Sequence, residues 1–375
     1  MQWTLLLLIW TGQCCPVVCH LYQFHYINEE KNWTEAQQYC RENHTDLVTV
    51  TNMTDMERLN KILPVDWRGA WIGLYYQTNG TRKWHWSLPG VEFNESETNW
   101  NTGEPNDATG CQNCGIIWKN LKWGDLSCND PRYFLCYDDS NSSKKYHLIQ
   151  EQKKWTEAQS FCREKHTDLI SGTKQLEDEE VKNEISHVGD YTYIFTGLFR
   201  EKWRWSDGSS SSFRRWKKGF DNQIEYSGQC AMTVTDDGGR WRNENCNERK
   251  PFICYDDKVI LIKENKTWEE ALTYCRDHHH DLVTITNMDD QRWIQEKVKN
   301  ASTDYVWTGL IYACTLDLWF WVSDEVVSYE NWAKGEPMDD CDMSGAMETR
   351  GKHQWFKRND TEKFNFICSK ERPTG

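Results

Sequence analysis

The sequence predicts an α+β fold that occurs three times along a chain of 375 residues. The first observation is a phrase of the type Trp-x-Glu-Ala, closed by a cysteine seven positions on, which starts at Trp33, Trp155 and Trp268. The second is an ending of the type Phe-x-Cys, which closes each copy at Cys136, Cys254 and Cys368. The spacing between these three starting tryptophans is too long for a solenoid unit and suits a small complete domain.

Each copy contains patterns for helices and for strands. In the first copy, Trp33, Ala36, Gln37 and Cys40 fall at i, i+3, i+4 and i+7, one face of a helix. Thr45–Val50 is a β-branched strand candidate, and Thr54–Glu57 reads as the capping box of a second helix. Trp71–Leu74 and the alternating Trp84–Trp86 predict two further strands, with the bulky rings on one face.

The chain divides into a leader and three modules. The apolar run at 5–10 is too short to span a bilayer and predicts a secretory signal peptide over 1–19, with a buried N-terminal strand as the alternative. We expect the modules at 20–139, 144–257 and 258–372, which we call the first, second and third copy. Since no later stretch reaches spanning length, we expect a secreted, soluble extracellular protein.

The cysteines predict disulfides and an oxidising compartment, because thirteen of the sixteen lie beyond the leader at matched positions. In each copy the first-helix and last-strand cysteines should pair, closing a loop of about a hundred residues and contributing roughly 4–5 kcal/mol. These pairs are Cys40–Cys136, Cys162–Cys254 and Cys275–Cys368. A second pair should staple a long irregular segment, at Cys114–Cys128 and Cys230–Cys246.

The third copy departs from this framework. Asp360 stands where a second-pair cysteine is expected, and Cys314 is new, so Cys314–Cys341 is the natural substitute pair. The alternative joins one of them to Cys111 across copies. Cys111 is the odd cysteine, and either exchange with Cys114 or an intermolecular bridge in a disulfide-linked dimer would engage it.

Charge and motifs exclude several functions. A net charge of -14 disfavours nucleic acid and anionic lipid as partners, and it is compatible with neutral sugars, basic proteins or calcium, or with solubility alone. No arrangement of nucleophile, base and orienting residue is evident, and there is no Gly-rich phosphate loop, so we do not expect an enzyme. Nine sequons predict a glycoprotein: Asn32, Asn43, Asn52, Asn79, Asn94, Asn141, Asn265, Asn300 and Asn359.

The order of motifs resembles the C-type lectin-like domain, three times over nearly all of residues 20–370. The carrying motifs in the first copy include Trp71-Ile-Gly-Leu74, Asn99-Trp100 with Glu104-Pro105-Asn106, and Trp123-Gly-Asp125. The resemblance implies two helices and two small antiparallel sheets per domain, with long calcium-binding loops at one end. The tandem array is similar to a short soluble relative of the macrophage mannose receptor-like proteins.

The resemblance also implies a sugar site in the first copy, where Glu104, Asn106 and Asp125 would bind the carbohydrate. The same three residues and Gln112 would hold one Ca²⁺, and Gly124 replaces an expected asparagine ligand. A proline in the tripeptide fits because a cis bond turns both neighbouring side chains toward one ion. With ligands weakened or missing, either calcium affinity is about millimolar or poorer, or the loop holds no ion.

The other two copies have lost the ligand pattern. In the second copy, Phe220 stands in the place of the Glu-Pro-Asn tripeptide, and Arg242 follows the tryptophan that corresponds to Trp123. These residues predict a site that cannot bind calcium. In the third, Glu336-Pro337-Met338 lacks the asparagine, and Lys357 either pairs with a nearby acid in the place of the ion or is solvated.

The sequence therefore predicts a secreted carbohydrate-binding protein with weak calcium-dependent recognition of mannose-type glycans or glycoproteins through the first copy. The alternative is an array of modules that binds protein surfaces without calcium.

Overall fold

The computed structural model describes residues 21–64, 69–77, 79–108, 110–140, 143–217, 229–235, 238–314, 316–336 and 341–370. The predicted signal peptide at 1–19 lies outside them. No helix within these ranges is both long and apolar enough to cross a membrane.

The first long helix of every copy starts at the repeated tryptophan and buries the predicted face. The helices in the described ranges are α1 Trp33–Asn43, α2 Met53–Ile62, α3 Trp155–Lys165, α4 Thr173–Leu176, α5 Glu179–Glu184, α6 Trp268–His278 and α7 Met288–Val298. The capping box predicted at Thr54–Glu57 is wrong: α2 has Asn52 as its N-cap, and its side chain accepts from the Asp55 N–H at 2.9 Å. Asparagine in an extended conformation satisfies that orphan donor two residues before the predicted cap.

The strands follow the same order in each copy. Those of the first are β1 Tyr22–Lys31, β2 Asp46–Leu47, β3 Ala70–Tyr76, β4 Lys83–Trp86, β5 Cys114–Ile117, β6 Trp123–Leu126 and β7 Arg132–Tyr137. Those of the second are β8 Tyr146–Lys153, β9 Asp168–Leu169, β10 Ile194–Glu201, β11 Trp203–Trp205, β12 Gln229–Thr233, β13 Trp241–Asn245 and β14 Lys250–Asp257. Those of the third are β15 Val259–Lys266, β16 Asp281–Leu282, β17 Tyr305–Ala313, β18 Leu318–Trp321, β19 Met343–Glu348, β20 Trp355–Asn359 and β21 Phe364–Ser369.

The third copy is a self-contained sheet. Its order is β15-β21-β17-β19-β20, with β16 on β21 and β18 on β17. The pair β17–β21 is parallel and the others are antiparallel. The two small sheets implied by the resemblance are thus joined into one seven-stranded network by a single parallel pair.

The first two copies build the same sheet twice, but by exchanging halves. The strands β1, β2 and β3 of the first copy pair with β11, β12, β13 and β14 of the second, and β8, β9 and β10 of the second pair with β4, β5, β6 and β7 of the first. Among the described residues, Phe24–Asp256 accordingly forms one compact unit, and residues 257–370 with residues 21–23 form another. The compact unit Phe24–Asp256 thus contains strands of both the first and the second copy.

A short connection explains the exchange. In the third copy, four residues separate β17 from β18, which lets β18 fold back on β17 as a hairpin. In the second copy, Lys202 is the single residue between β10 and β11. The tightest hairpin there would place Glu201 and Lys202 in a two-residue turn that needs φ above zero, where glutamate and lysine are strained.

The chain instead runs straight through this point. Glu201 pairs with Lys83 in one sheet, and Trp203 pairs with Tyr76 in the other. Because each half needs a complement to bury its apolar face, the two halves of the first copy take the remaining places. A hinge too short to turn is a recognised route to exchange of identical elements.

The exchange overturns two of the predicted disulfides. The structure joins Cys40 to Cys254 and Cys136 to Cys162, where Cys40–Cys136 and Cys162–Cys254 are expected from sequence. The reason is that the first helix of one copy now packs on the last strand of the other. Loop entropy does not favour either scheme, since each contributes about 9 kcal/mol in total in the chain-entropy model. The other pairs are Cys114–Cys128, Cys230–Cys246, Cys275–Cys368 and Cys314–Cys341.

Tryptophans tie the helices to the sheets. The indole of Trp33 donates to the Ile72 carbonyl at 2.9 Å, and Trp155 and Trp268 make the matching bonds to Thr196 and Thr308 at 2.7 and 2.9 Å. Each bond satisfies a buried N–H while the ring fills the core. These repeated rings are therefore structural.

The repeated Gly-Leu pair is required by a close backbone contact. A Cβ on Gly197 would lie 2.3 Å from Ser171 Oγ and 2.9 Å from the Ile170 carbonyl oxygen.

We expect Gly197→Ala to lower the thermal midpoint by about 3–10 °C, because overpacking costs about 1–3 kcal/mol. Gly189→Ala is the control, since its nearest neighbour would be 3.4 Å away. Equal midpoints for the two variants, measured calorimetrically, would contradict this account of the motif.

Candidate functional site

The Glu104 loop, residues 99–113, is held on β6 by its first residues. Trp123 N–H donates to the Asn99 carbonyl at 2.9 Å, and Asn101 N–H donates to the Trp123 carbonyl at 2.8 Å. The Trp100 and Trp123 rings meet edge to face, with centroids 5.6 Å apart. Beyond this anchor the Glu104–Pro105 peptide bond is cis.

Asp125 is the centre of the loop. It lies on β6 with a side chain that is fully buried. Its carboxylate accepts the backbone N–H groups of Asn106 at 2.9 Å and Asp107 at 3.0 Å. The late tryptophan motif thus fixes the backbone just after the tripeptide.

Glu104 closes the other side of the site. Its carboxylate accepts from the Asn106 amide at 2.7 Å and from the Asp125 N–H at 3.2 Å. Burial, and then a shared hydrogen bond with Asp125, raise the pKa of Glu104. Two carboxyl groups in contact disfavour each other's charge, which is the electrostatic pattern of a cation-binding cluster.

The remaining predicted ligand, Gln112, also belongs to this network. Its side-chain oxygen accepts from the Ala108 N–H at 2.6 Å, and its own N–H donates to Asp107 at 3.1 Å. Asp107 has φ of 47°, in the left-handed region. The structure therefore brings Glu104, Asn106, Gln112 and Asp125 together, with Asp107 as a third carboxylate.

Two arginines neutralise these carboxylates. Arg200 Nη2 lies 2.6 Å from Asp125 and 3.2 Å from Asp107, and its guanidinium covers the Trp84 ring at 4.7 Å. Arg82 binds the other oxygen of Asp107. Arg200 comes from β10 of the second copy, so the exchange delivers it to the loop of the first.

The side chains of this site offer the donor atoms that calcium prefers, but other groups already contact some of those atoms. Carboxylate and amide oxygens are the ligands that Ca²⁺ prefers. However, both oxygens of Asp125 already accept hydrogen bonds, one of them from a guanidinium. The missing fifth ligand cannot be restored simply, because a Cβ on Gly124 would lie 2.4 Å from the Trp118 ring.

The corresponding parts of the other copies are only partly described. Phe220 and its neighbours lie outside the described residues, as do Pro337, Met338 and two of the acids that could pair with Lys357, Asp339 and Asp340. Glu336 is described, and its Oε2 is buried without a hydrogen-bond partner in the ranges that the structure covers.

Sequence reasoning missed both arginines and the Trp118 ring. The available signal for Arg200 was that it replaces Tyr76 and Tyr312, which follow the Gly-Leu pair by the same spacing in the other copies. Assigning Arg200 to the loop of the first copy requires knowledge of the exchange.

Comparison with known proteins identifies the class. The model of the lectin C-type domain family matches residues 29–138, 151–256 and 264–370, so the chain belongs to this family. C-type mannose receptor 2 of Homo sapiens is 24% identical over 372 residues, covering 84% of this chain and 24% of the receptor. The chain thus spans about a quarter of the length of that relative.

Two shorter proteins are similar to part of the chain. L-selectin of Bos taurus is 33% identical over 141 residues, which is 35% of this chain and 37% of that protein. The crystal structure of human lithostathine is 23% identical, with a TM-score of 0.28, and covers 29% of this chain and 80% of lithostathine.

Proposed function

We propose that this protein is an extracellular lectin whose Glu104 loop binds mannose-type glycans or glycoproteins. The observation that supports it most is the convergence of Glu104, Asn106 and Asp125 in one hydrogen-bonded cluster. Their carboxylate and amide groups suit the hydroxyls of a neutral sugar. Relatives named as a mannose receptor and a selectin support a binding protein rather than an enzyme.

We further propose that Ca²⁺ binds this loop weakly, through Glu104, Asn106, Gln112 and Asp125. When bound, the ion would supply coordination sites for vicinal sugar hydroxyls. Arg200 lowers the affinity because its guanidinium already contacts Asp125, at 2.6 Å. The chain's own residues keep the loop in shape through the backbone bonds to Asp125.

One observation favours the second candidate, a protein-binding array that needs no calcium. Arg82 and Arg200 already neutralise the Asp107 and Asp125 carboxylates, so these two carboxylates have counter-charges from the chain itself. A surface held in this way can bind a partner in the absence of calcium.

Retention on immobilised mannose separates the two candidates. We expect the full chain to be retained in millimolar Ca²⁺ and released by a calcium chelator or by free mannoside. Glu104→Gln should reduce retention at least tenfold, because it removes a charged ligand from the cluster.

Glu336→Gln is the matched control, since Glu336 has the same place in the motif of the third copy. Its retention should equal that of the unmodified chain. Retention that survives both the chelator and Glu104→Gln would refute sugar binding at this loop and support the calcium-independent array.

Secretion and dimerisation are part of the same proposal. The six disulfides among the described residues are typical of proteins that fold in an oxidising compartment. Cys111 is exposed and outside any disulfide in the described part of the chain. We propose that it forms a disulfide-linked dimer, which non-reducing electrophoresis of Cys111→Ser beside the unmodified chain would test.

A further inference from the structure

Two clusters of two histidines and one aspartate lie away from the Glu104 loop. The first histidine cluster is His25, His44 and Asp256, and the second is His147, His166 and Asp138. In each, one ligand atom per residue lies within 4.8 Å of the other two. Each cluster joins the first strand of a copy, the end of its first helix, and a last strand.

The first cluster converges on one carboxylate. Asp256 Oδ2 lies 2.8 Å from His25 Nε2, and its Oδ1 lies 3.0 Å from His44 Nδ1. The two imidazoles stack with centroids 4.6 Å apart. All three side chains are between 17% and 39% exposed, so small solutes can reach the group.

The second cluster repeats this arrangement. Asp138 Oδ2 lies 3.2 Å from His166 Nδ1, and the His147 and His166 rings stack with centroids 4.3 Å apart. The other oxygen of Asp138 accepts from the N–H and hydroxyl of Ser140, at 3.0 and 2.6 Å, which fixes the carboxylate.

The strand histidine of each cluster has a buried Nε2. His147 Nε2 makes no hydrogen bond within the described ranges. His25 Nε2 lies 2.8 Å from the Asp256 carboxylate, in an ion pair that lacks the alignment of a hydrogen bond. A buried nitrogen without an aligned hydrogen bond is costly, and a bound ion would satisfy it.

The third copy provides an internal comparison. By distance from the helix tryptophan and the last cysteine, its equivalent residues are Ile260, His279 and Lys370. The sheet register agrees, since Ile260 pairs with Cys368 as His147 pairs with Cys136. An isoleucine and a lysine cannot ligate a cation here, so the third copy has no such group.

We propose that each histidine cluster binds one divalent transition-metal ion of the zinc type. Two imidazole nitrogens and one carboxylate form a ligand set for zinc with a fourth position open to water, whereas calcium prefers oxygen ligands. Bonds of about 2.0–2.2 Å place tetrahedral ligands roughly 3.3 Å apart, so small side-chain rotations close each group around an ion.

The ion would cross-link two segments of the chain beside a disulfide. Asp256 follows Cys254 by two residues and His44 follows Cys40 by four, and these cysteines are bonded to each other. The second cluster has the same relation to its own disulfide. Because the two copies carry the same three residues, unexchanged halves would assemble the same ligand set.

Zinc titration of the chelator-stripped full chain tests this proposal. Bound zinc is measured by competition with a chromophoric chelator and by elemental analysis. We expect two equivalents per chain, one equivalent in His44→Ala and in His166→Ala, and none in the double variant. Zinc should also raise the thermal midpoint of the unmodified chain and not that of the double variant.

His279→Ala is the matched control, because it removes the equivalent helix-end histidine of the third copy, where Ile260 and Lys370 occupy the other two ligand positions. It should bind two equivalents. The proposal is overturned if the stripped chain binds no zinc at micromolar concentrations, or if the double variant binds as much as His279→Ala. Circular dichroism of the variants shows that lost binding is not lost folding.

Discussion

Lengthening the connection at Lys202 should separate the first two copies. We expect insertion of five residues with the sequence of residues 77–81 between Glu201 and Lys202 to change the disulfides to Cys40–Cys136 and Cys162–Cys254. The inserted residues supply a turn, so β11 can fold back on β10 as β18 does on β17. Peptide mapping without reduction measures the result.

The same five residues inserted between Thr81 and Arg82 provide the control. The first copy already has six residues between β3 and β4, so a longer connection there should leave the pairing unchanged. If the Lys202 insertion also leaves Cys40 bonded to Cys254, the length of this connection is not the cause of the exchange.

Removing the Arg200 charge should raise calcium affinity at the Glu104 loop by tenfold or more. A unit charge and a divalent ion about 4 Å apart repel by several kcal/mol at an effective dielectric constant of about 20, and solvent reduces this only in part. Arg200→Gln removes that repulsion and leaves one oxygen of Asp125 with the Asp107 N–H as its hydrogen-bond donor. Calorimetric titration of calcium into the full chain gives the affinity.

Arg249→Gln controls for the change in net charge, because Arg249 forms an exposed ion pair with Glu35 in the same unit. It should leave calcium affinity within about twofold. An affinity for Arg200→Gln no higher than that of Arg249→Gln would mean that the loop does not select calcium. The Lys202 insertion should resemble Arg200→Gln, since it would bring Tyr76 to the loop in place of Arg200.

Much of the fold follows from local pattern. The tryptophan helices, the Gly-Leu strands and the cysteine positions repeat, and each is recognisable from residues that are close to it in the sequence. The N-cap of α2 lies two residues before the predicted one, because Asn52 and Thr54 are both good caps and local sequence does not choose between them.

The exchange could not be predicted from those patterns, because each half finds an equivalent complement in either copy. Loop entropy is nearly the same in both arrangements, and the difference lies in one connection that is too short to turn. Both the pairing of Cys40 with Cys254 and the placement of the Arg200 guanidinium beside Asp125 follow from that connection.

The candidate site shows the same limit. Glu104, Asn106 and Asp125 are recognisable because they stand in a motif, and the structure brings them together. Arg200 and Trp118 carry no motif, and their influence comes from tertiary placement: one provides a cation, and the other fills the space beside Gly124.

Disulfide mapping of the unmodified chain tests the central claim most directly, since the exchange both unites the first two copies and brings Arg200 to the Glu104 loop. Digestion without reduction, followed by mass spectrometry, identifies the linked peptides. The account predicts one peptide pair that contains Cys40 and Cys254 and another that contains Cys136 and Cys162. Recovery of Cys40 linked to Cys136, with Cys162 linked to Cys254, would contradict it.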